Sequence, residues 1–334
     1  MTSSQQPTSD RIMRLITGYW ATGIVGAASS HSVFTHLEGG ATTAEQVAER
    51  AAISLRGAQA LLDGLVSLGL VEQQDGGYRN SAEASAFLVE GSPDCLTGFA
   101  KLKAGHMASL TNLPEVVKVG GPLTDAVVEV ADNPHWEELV QALAAQSVPV
   151  ARTAADTLKI ADAGEISILD IGGGSGIYSG TWLERNPAAR ATQLDWAPIN
   201  AIARRLLGER GVGDRVTYVD GDFHTTELGA PGTYDVVVYS NIAHQEGPDD
   251  NMALFSRVRS VLKPGGTLVV SDYVVDDDRS GPPYPLTFAN EMLLKSRHGS
   301  TWRRADYHGW LSKTGYDDIT FQTTLSPTTL IFAR

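Results

Sequence analysis

The segment Leu169-Asp-Ile-Gly-Gly-Gly-Ser-Gly176 constrains this 334-residue chain more than any other. An apolar run that ends in so many glycines can continue neither as strand nor as helix, so it must turn sharply. Glycine there permits left-handed φ and lets the backbone come close to a ligand. A helix beginning near Ile177 would then aim its N-terminus at the turn and favour an anionic group such as a carboxylate. The combination implies a nucleotide-like cofactor. Two common nucleotide patterns are excluded: Gly-x-Gly-x-x-Gly would need glycine at Ile177 or Ser179, and there is no Gly-x-x-x-x-Gly-Lys.

The surrounding pattern predicts the sheet that this turn belongs to. Short apolar runs at Ile166 to Ile171, Ala191 to Asp195, Val216 to Val219, Tyr234 to Tyr239 and Thr267 to Ser271 alternate with helical stretches. Two more, Ile319 to Phe321 and Thr329 to Ala333, close the chain. Alternation of this kind implies a mostly parallel sheet covered on both faces, an α/β Rossmann-like domain. Ligands in such sheets sit beyond the carboxyl ends of the strands, near the switch in strand order.

The first hundred residues read differently. Ile12, Leu15, Ile16, Tyr19, Trp20 and Ile24 recur at helical spacing and predict a helix or pair of helices between Arg11 and about Leu37. Thr43 followed by Gln46 suits a capping box. A second helix is expected from about Ser54 to Leu68, with Leu61, Leu62, Leu65 and Leu68 on one face. Gly69 to Asn80 then reads as strand, Asp-Gly turn and returning strand. The whole is a mostly α winged-helix pattern. Nucleic acid is nevertheless an improbable partner, because residues 1 to 100 carry five basic side chains against ten acidic ones and the chain's net charge is −13. The same charge argues against anionic membrane surfaces. A dimerisation role fits better. From Cys95 to Leu158 the pattern is helical again, with breaks expected at Pro114, Gly120-Gly121-Pro122 and Pro134. The lone Cys95 fits a reducing cytoplasm, and neither a signal-peptide pattern nor a membrane-spanning apolar run is visible.

An acidic residue followed by Gly-x-Gly-x-Gly, here Asp170, Gly172, Gly174 and Gly176, resembles the first motif of class I S-adenosylmethionine-dependent methyltransferases. Later positions follow the same pattern. Asp195, with Trp196 beside it, ends the next strand, where the resemblance implies an acceptor for the ribose hydroxyls. Gly221, Asp222 and Phe223 follow the third strand, where the resemblance implies that the Asp binds the adenine amino group and the apolar residue packs on the ring. Together with the winged-helix pattern, these residues make the chain similar to the small-molecule O-methyltransferases of plant phenylpropanoid and bacterial polyketide metabolism. The resemblance covers nearly the whole chain. It implies a winged-helix dimerisation domain over 1–94, a helical connector lining the acceptor pocket over 95–158, and a methyltransferase domain over 159–334. A homodimer acting on a small-molecule acceptor follows from it.

The family's catalytic histidine lies just beyond the fourth strand, the place of His244 in Ser240-Asn-Ile-Ala-His244. Ser240 falls where the family often has a cofactor-side Lys, and Ser147 matches a motif serine near the cofactor's methionine part, with Leu143 in place of the motif's methionine. Asp272 occupies the position of one of two acidic partners of the histidine, while the second is missing, the matching region reading Gly299-Ser-Thr-Trp. A phenol has a pKa of about 10 and an unperturbed histidine about 6.5, so a neutral His244 oriented by Asp272 suits a general base. Met107, Trp136, Leu143, Phe288, Met292, His298 and Trp302 are the candidates for an apolar, aromatic acceptor pocket.

Two alternatives stand beside this reading. His244 and His298, with Gln245, Glu246 or Asp272, could hold a divalent metal and methylate the carbon of an α-keto acid. A winged-helix regulator that senses a metabolite through a methyltransferase-like domain is the non-enzymatic one. His31, His36, His106, His135, His224 and His308 have no motif context and read as structural or exposed.

Overall fold

The structure, a computed structural model, describes residues 7–92, 94–124, 130–131 and, apart from the side chain of Glu138, 136–334. The chain divides into two compact units, Met1–Ala108 and Ser109–Arg334.

The first unit is built from helices α1 (Asp10–Ile16), α2 (Tyr19–Ser30), α3 (Val33–Glu38), α4 (Ala44–Arg50) and α5 (Leu55–Ser67), the strands β1 (Val71–Gln74) and β2 (Gly77–Asn80), and helices α6 (Ala82–Phe87) and α7 (Thr97–His106). The expected single helix or pair before Gly39 is three short helices, with Ser32 left-handed at the start of the third. Thr43 and Gln46 form the capping box, and Ser54 caps α5 by accepting from the Gly57 N–H. Asp75 and Gly76 both take positive φ between β1 and β2, the two-residue turn that an Asp-Gly pair favours in a hairpin. Phe34, Val47, Leu62, Leu65 and Val71 are buried at its centre. Helix α1 has no buried residue, and Ile12, Leu15, Ile16, Tyr19 and Trp20 are all exposed.

The second unit opens with α8 (Leu113–Val119) and the long α9 (Trp136–Thr157). Pro114 begins α8 rather than breaking a helix, as its fixed φ and missing donor allow in a first turn, and left-handed Gly120 ends it. Pro149 lies inside α9; Pro134 and His135 lie outside the described residues. There follow β3 (Ser167–Ile171), α10 (Ile177–Arg185), β4 (Arg190–Asp195), α11 (Ala197–Glu209), β5 (Val216–Asp220), β6 (Tyr234–Ser240), α12 (Pro248–Val261), β7 (Leu262–Asp272), β8 (Val274–Val275), α13 (Pro283–Lys295), β9 (Trp302–Arg303), α14 (Arg304–Lys313), β10 (Ile319–Thr323) and β11 (Thr329–Ala333).

Seven strands form one sheet in the order β10-β11-β7-β6-β3-β4-β5. The strands from β7 to β5 in that order run parallel, while β11 and β10 are antiparallel. Strands β3 and β6 lie in the middle and are covered on both faces, which is why they read as continuous apolar runs and not as alternating ones. One buried cluster, including Val237, Leu268, Phe255 and Trp310, packs on one face of the sheet. A second, including Val238, Val269, Trp182 and Tyr178, packs on the other. The chain moves outward from β3 to β5, then returns through β6 to the other side, so the strand order reverses beside β3. Beta strands of two residues, β8 and β9, pair beyond the main sheet, and neither was legible in the sequence. Among the described residues no helix is long and apolar enough to cross a membrane.

Candidate active site

A cavity of about 540 Å³ opens at the carboxyl ends of β3, β4, β5 and β6, beside the point where the strand order reverses. That is the expected place for a ligand in a doubly wound sheet. Its floor is the turn after β3. Gly172, Gly174 and Gly176 all have positive φ, and a Cβ on Gly173 would fall 2.8 Å from Gln193 and 2.9 Å from Asp170. The turn therefore requires glycine on both conformational and steric grounds. Gly172 to Ser175 line the cavity, whereas Gly176 is buried at the N-cap of α10.

Asp170 stands beneath this turn and not in the cavity. It is fully buried, Oδ2 accepts from the Ser179 N–H, and Oδ1 has no hydrogen-bond partner among the described residues. Burial pushes its carboxyl up to about 7. Asp195 does line the cavity: Oδ2 accepts from the Gly174 N–H at 2.9 Å and Oδ1 from the Trp196 N–H at 2.7 Å. Burial raises it to about 6, against the lowering by those two donors. Behind it, fully buried Asn200 donates to the Asp195 and Val219 carbonyls and to Asp220, fixing the ends of β4 and β5 together.

Trp136, Leu143 and Ser147 of α9, Trp196, Gly221, Asp222, Phe223 and Ser240 complete the expected lining. The Trp136 and Trp196 rings lie 5.7 Å apart. His298 also lines the cavity, next to Arg297. The other acceptor-pocket candidates do not. Met292 is buried in α13, the Trp302 indole donates to the Ala243 carbonyl at 3.1 Å, and Met107 belongs to the first unit. Phe288 instead presents its ring edge-on to His244, with centroids 5.0 Å apart. Their place in the connector and in the segment after Asp272 picked these side chains out, but not the direction in which each would point.

His244 is buried at 4% exposure. Asn241, in a left-handed conformation uncommon for a non-glycine residue, turns the chain out of β6. Three donors then tie down the turn that carries the histidine: Asn251 to the Ala243 and Gly247 carbonyls, Trp302 to the Ala243 carbonyl, and Ser296 to the Gln245 carbonyl. Nδ1 of His244 lies 2.6 Å from Oδ1 of Asp272, whose side chain is fully buried at the end of β7. With Nδ1–H donated to a carboxylate, Nε2 is the nitrogen that carries the lone pair. Oδ1 of Asp272 also accepts from the Tyr273 N–H at 2.7 Å, and Oδ2 from the Tyr307 hydroxyl at 2.9 Å. Nothing in the sequence marked Tyr307, which lies in a helix with no recognisable motif.

His224, read from sequence as structural or exposed, lines the cavity, with Nε2 3.4 Å from Glu246 and its ring 4.4 Å from that of Phe223. Its pKa is raised, chiefly by the hydrogen bond to Glu246. Asp195, Asp222, Glu246 and Asp250 give the lining four carboxylates against the guanidinium of Arg297, a field that suits a cationic ligand. Among the described residues no three or more His, Cys, Asp or Glu are grouped to hold a metal ion. His244 is committed to Asp272 while His298 is exposed on the cavity wall, so the arrangement gives the His244–His298 metal reading no support.

Residues 107–317 match the O-methyltransferase domain family, and residues 13–90 match the O-methyltransferase dimerisation domain. The chain belongs to this family. It is an S-adenosylmethionine-dependent O-methyltransferase, with the Rossmann-like domain and the mostly helical N-terminal region that the sequence implied. The enzyme is 30% identical over 314 residues to the 3-hydroxy-5-methyl-1-naphthoate 3-O-methyltransferase of Streptomyces sahachiroi, covering 91% of this chain and 88% of that one. It is 28% identical to the tetracenomycin polyketide synthesis 8-O-methyltransferase of Streptomyces glaucescens over 97% and 96% of the two chains. Its fold is similar to that of human N-acetylserotonin methyltransferase, solved in complex with S-adenosylmethionine, with TM-score 0.85 at 23% identity over 100% and 99% of the two chains.

Proposed function

We propose that the enzyme methylates a phenolic hydroxyl of a flat, polyketide-like aromatic acceptor, with His244 as general base. S-adenosylmethionine supplies a methyl group already activated on a sulfonium, so the protein has only to align the acceptor and take its proton. The donor's ribose is assigned to Asp195, its adenine to Asp222 and Phe223, and its methionine part to the glycine turn with Ser147 and Ser240. Several features fit that assignment: the acidic lining, the carboxylate held at the end of β4 by two backbone donors, and the turn kept free of side chains at Gly172 to Gly174.

The observation that carries the base assignment is the buried 2.6 Å contact between His244 Nδ1 and Asp272 Oδ1. It fixes the tautomer, leaves Nε2 to accept the phenolic proton, and places a negative charge where the imidazolium forms. As the oxygen–methyl bond forms, the methyl–sulfur bond breaks with its electron pair left on sulfur, and the proton passes to Nε2. Half-buried Phe288 beside the His244 ring, with Tyr284 stacked on Phe288, gives an aromatic acceptor an aromatic neighbour next to the base. Relatives named for naphthoate and tetracenomycin acceptors support that substrate class. The exposed apolar residues of α1 and α2, within the stretch matching the dimerisation domain, support a homodimer.

The test is mass spectrometry of products formed from donor with a deuterated methyl group, using pooled hydroxynaphthoates and phenolic polyketides with and without chelator. A labelled aryl ether formed regardless of chelator is expected. His244→Ala should lower turnover by roughly 10² to 10⁴ with donor binding intact; unchanged turnover would remove the base assignment.

A further inference from the structure

We infer that Tyr307 is a positioning residue for methyl transfer, standing in for the second acidic partner that this sequence lacks. The inference rests on His244 being the base. The segment Gly299-Ser-Thr-Trp, where a second carboxylate was expected, does pack against the histidine turn: a Cβ on Gly299 would fall 2.4 Å from the His244 carbonyl oxygen. Its side chains carry no charge, and the buried Oγ1 of Thr301 makes no hydrogen bond among the described residues. Support for the His244–Asp272 pair comes instead from α14.

The hydroxyl of Tyr307 donates to Oδ2 of Asp272 at 2.9 Å, while Oδ1 takes both His244 Nδ1 and the Tyr273 N–H. A carboxylate with one oxygen fixed on each side cannot rotate about its Cβ–Cγ bond, so the plane in which it meets the imidazole is set. Tyr307 and Asp272 are both fully buried, so no water competes for Oδ2. The phenol stays protonated as a donor, since burial and the neighbouring Asp272 raise its pKa well above 10. The charged or titratable groups facing it are Asp272, Tyr239 and Asp306; those facing Asp272 are His244, Tyr178, Tyr239, Tyr273 and Tyr307. The ring itself packs against Trp310 at 5.3 Å, so removing only the hydroxyl preserves the packing.

The test compares Tyr307→Phe, Asp272→Asn, their double substitution and His244→Ala in the full-length enzyme. For Tyr307→Phe the expected result is a kcat about tenfold lower, as for loss of one charge-assisted hydrogen bond, with KM for donor and acceptor within about twofold. The acid limb of the kcat–pH profile should also move to higher pH, because a carboxylate that loses a donor holds the imidazolium proton more tightly. In the Asp272→Asn background the second substitution should slow turnover no further, since the charge it orients is gone. Should Tyr307→Phe alone fail to fold, that double variant, which strands no carboxylate, still reports against Asp272→Asn whether loss of the hydroxyl slows turnover once the charge is gone, and a slower double variant overturns the inference. A kcat within about twofold of wild type with an unmoved pH profile, or effects that multiply in the double variant, overturns the inference. If His244→Ala retains wild-type turnover, the base reading fails first; if it is inactive while Tyr307→Phe is unaffected, only the role of Tyr307 falls.

Discussion

Replacing Asp272 by Asn isolates the charge behind the base from the geometry that holds it. The Tyr273 N–H, 2.7 Å from Oδ1, needs an acceptor, so the amide oxygen of the variant must take the δ1 place and continue to accept from His244 Nδ1. The amide nitrogen then faces the Tyr307 hydroxyl, which can accept from it as readily as it now donates. Every atom that now pairs with the carboxylate keeps a partner, so the fold and the histidine tautomer survive. What disappears is the negative charge beside the imidazolium that forms as the acceptor loses its proton. Two unit charges about 4 Å apart attract by about 4 kcal/mol at an effective dielectric of about 20, the scale for a buried ring–carboxylate contact. A loss of that size is about 10³ in kcat. The assay is a single-turnover measurement with labelled donor, so that slow product release does not hide the chemical step. Calorimetric titration of the donor should show unchanged affinity. A single-turnover rate within about threefold of wild type would refute the reasoning, because it would mean that no imidazolium charge develops against Asp272.

Asp195→Ala should weaken donor binding by at least tenfold with little change in the chemical step, as expected for loss of a carboxylate that hydrogen-bonds the ligand; an unchanged dissociation constant contradicts the ribose assignment. Gly176→Ala should destabilise the turn and weaken donor binding together, because the residue has φ of 71° and an added Cβ would fall 2.6 Å from Leu207; wild-type melting temperature and affinity would show that the turn adapts. Asp170, raised by burial to about 7, binds a proton more tightly folded than unfolded. Stability is therefore full below about pH 4 and is lost as pH rises through 7. The melting temperature of the ligand-free enzyme should fall between pH 5 and 8, and less steeply in Asp170→Asn. The variant should keep some slope, because Asp195, raised to about 6, acts in the same direction. Parallel curves would contradict the buried, raised carboxyl.

The glycine turn, the acidic strand ends and the place of His244 were legible because each is fixed locally, by backbone conformation or by position just after a strand. Asp272 was legible for the same reason. Tyr307 was not, because its role depends on where α14 docks and on one hydroxyl reaching a strand end 35 residues away. His224 was set aside for want of a motif, yet it follows Asp222 and Phe223 by two and one positions and shares their loop; the burial pattern of a loop has no period from which to read it. Phe288, Met292 and Trp302 were recognised as apolar residues after Asp272, but apolar character at a place in the chain does not tell which neighbour a side chain meets. Pro114 illustrates a related ambiguity, since the same residue that ends one helix can begin another.

The residues proposed to handle the proton stand on well-buried elements: His244 in the turn that follows β6, Asp272 at the end of β7, Tyr307 on a helix buried against the sheet. The acceptor side of the cavity wall, as distinct from the donor side proposed at 221–223, comes largely from elsewhere, from α9 and from the segment at 297–298. Under the proposed roles, proton removal and acceptor recognition overlap at the turn around His244 but otherwise fall on different pieces of chain. A duplicated gene can exchange a loop or re-face α9 and acquire a new acceptor without re-learning how to remove a proton, whereas any change at the three anchored positions is felt with every acceptor alike. In such a scaffold, divergence should accumulate in the wall long before it reaches the anchors, and grafting wall segments between relatives is the economical route to altered acceptor choice.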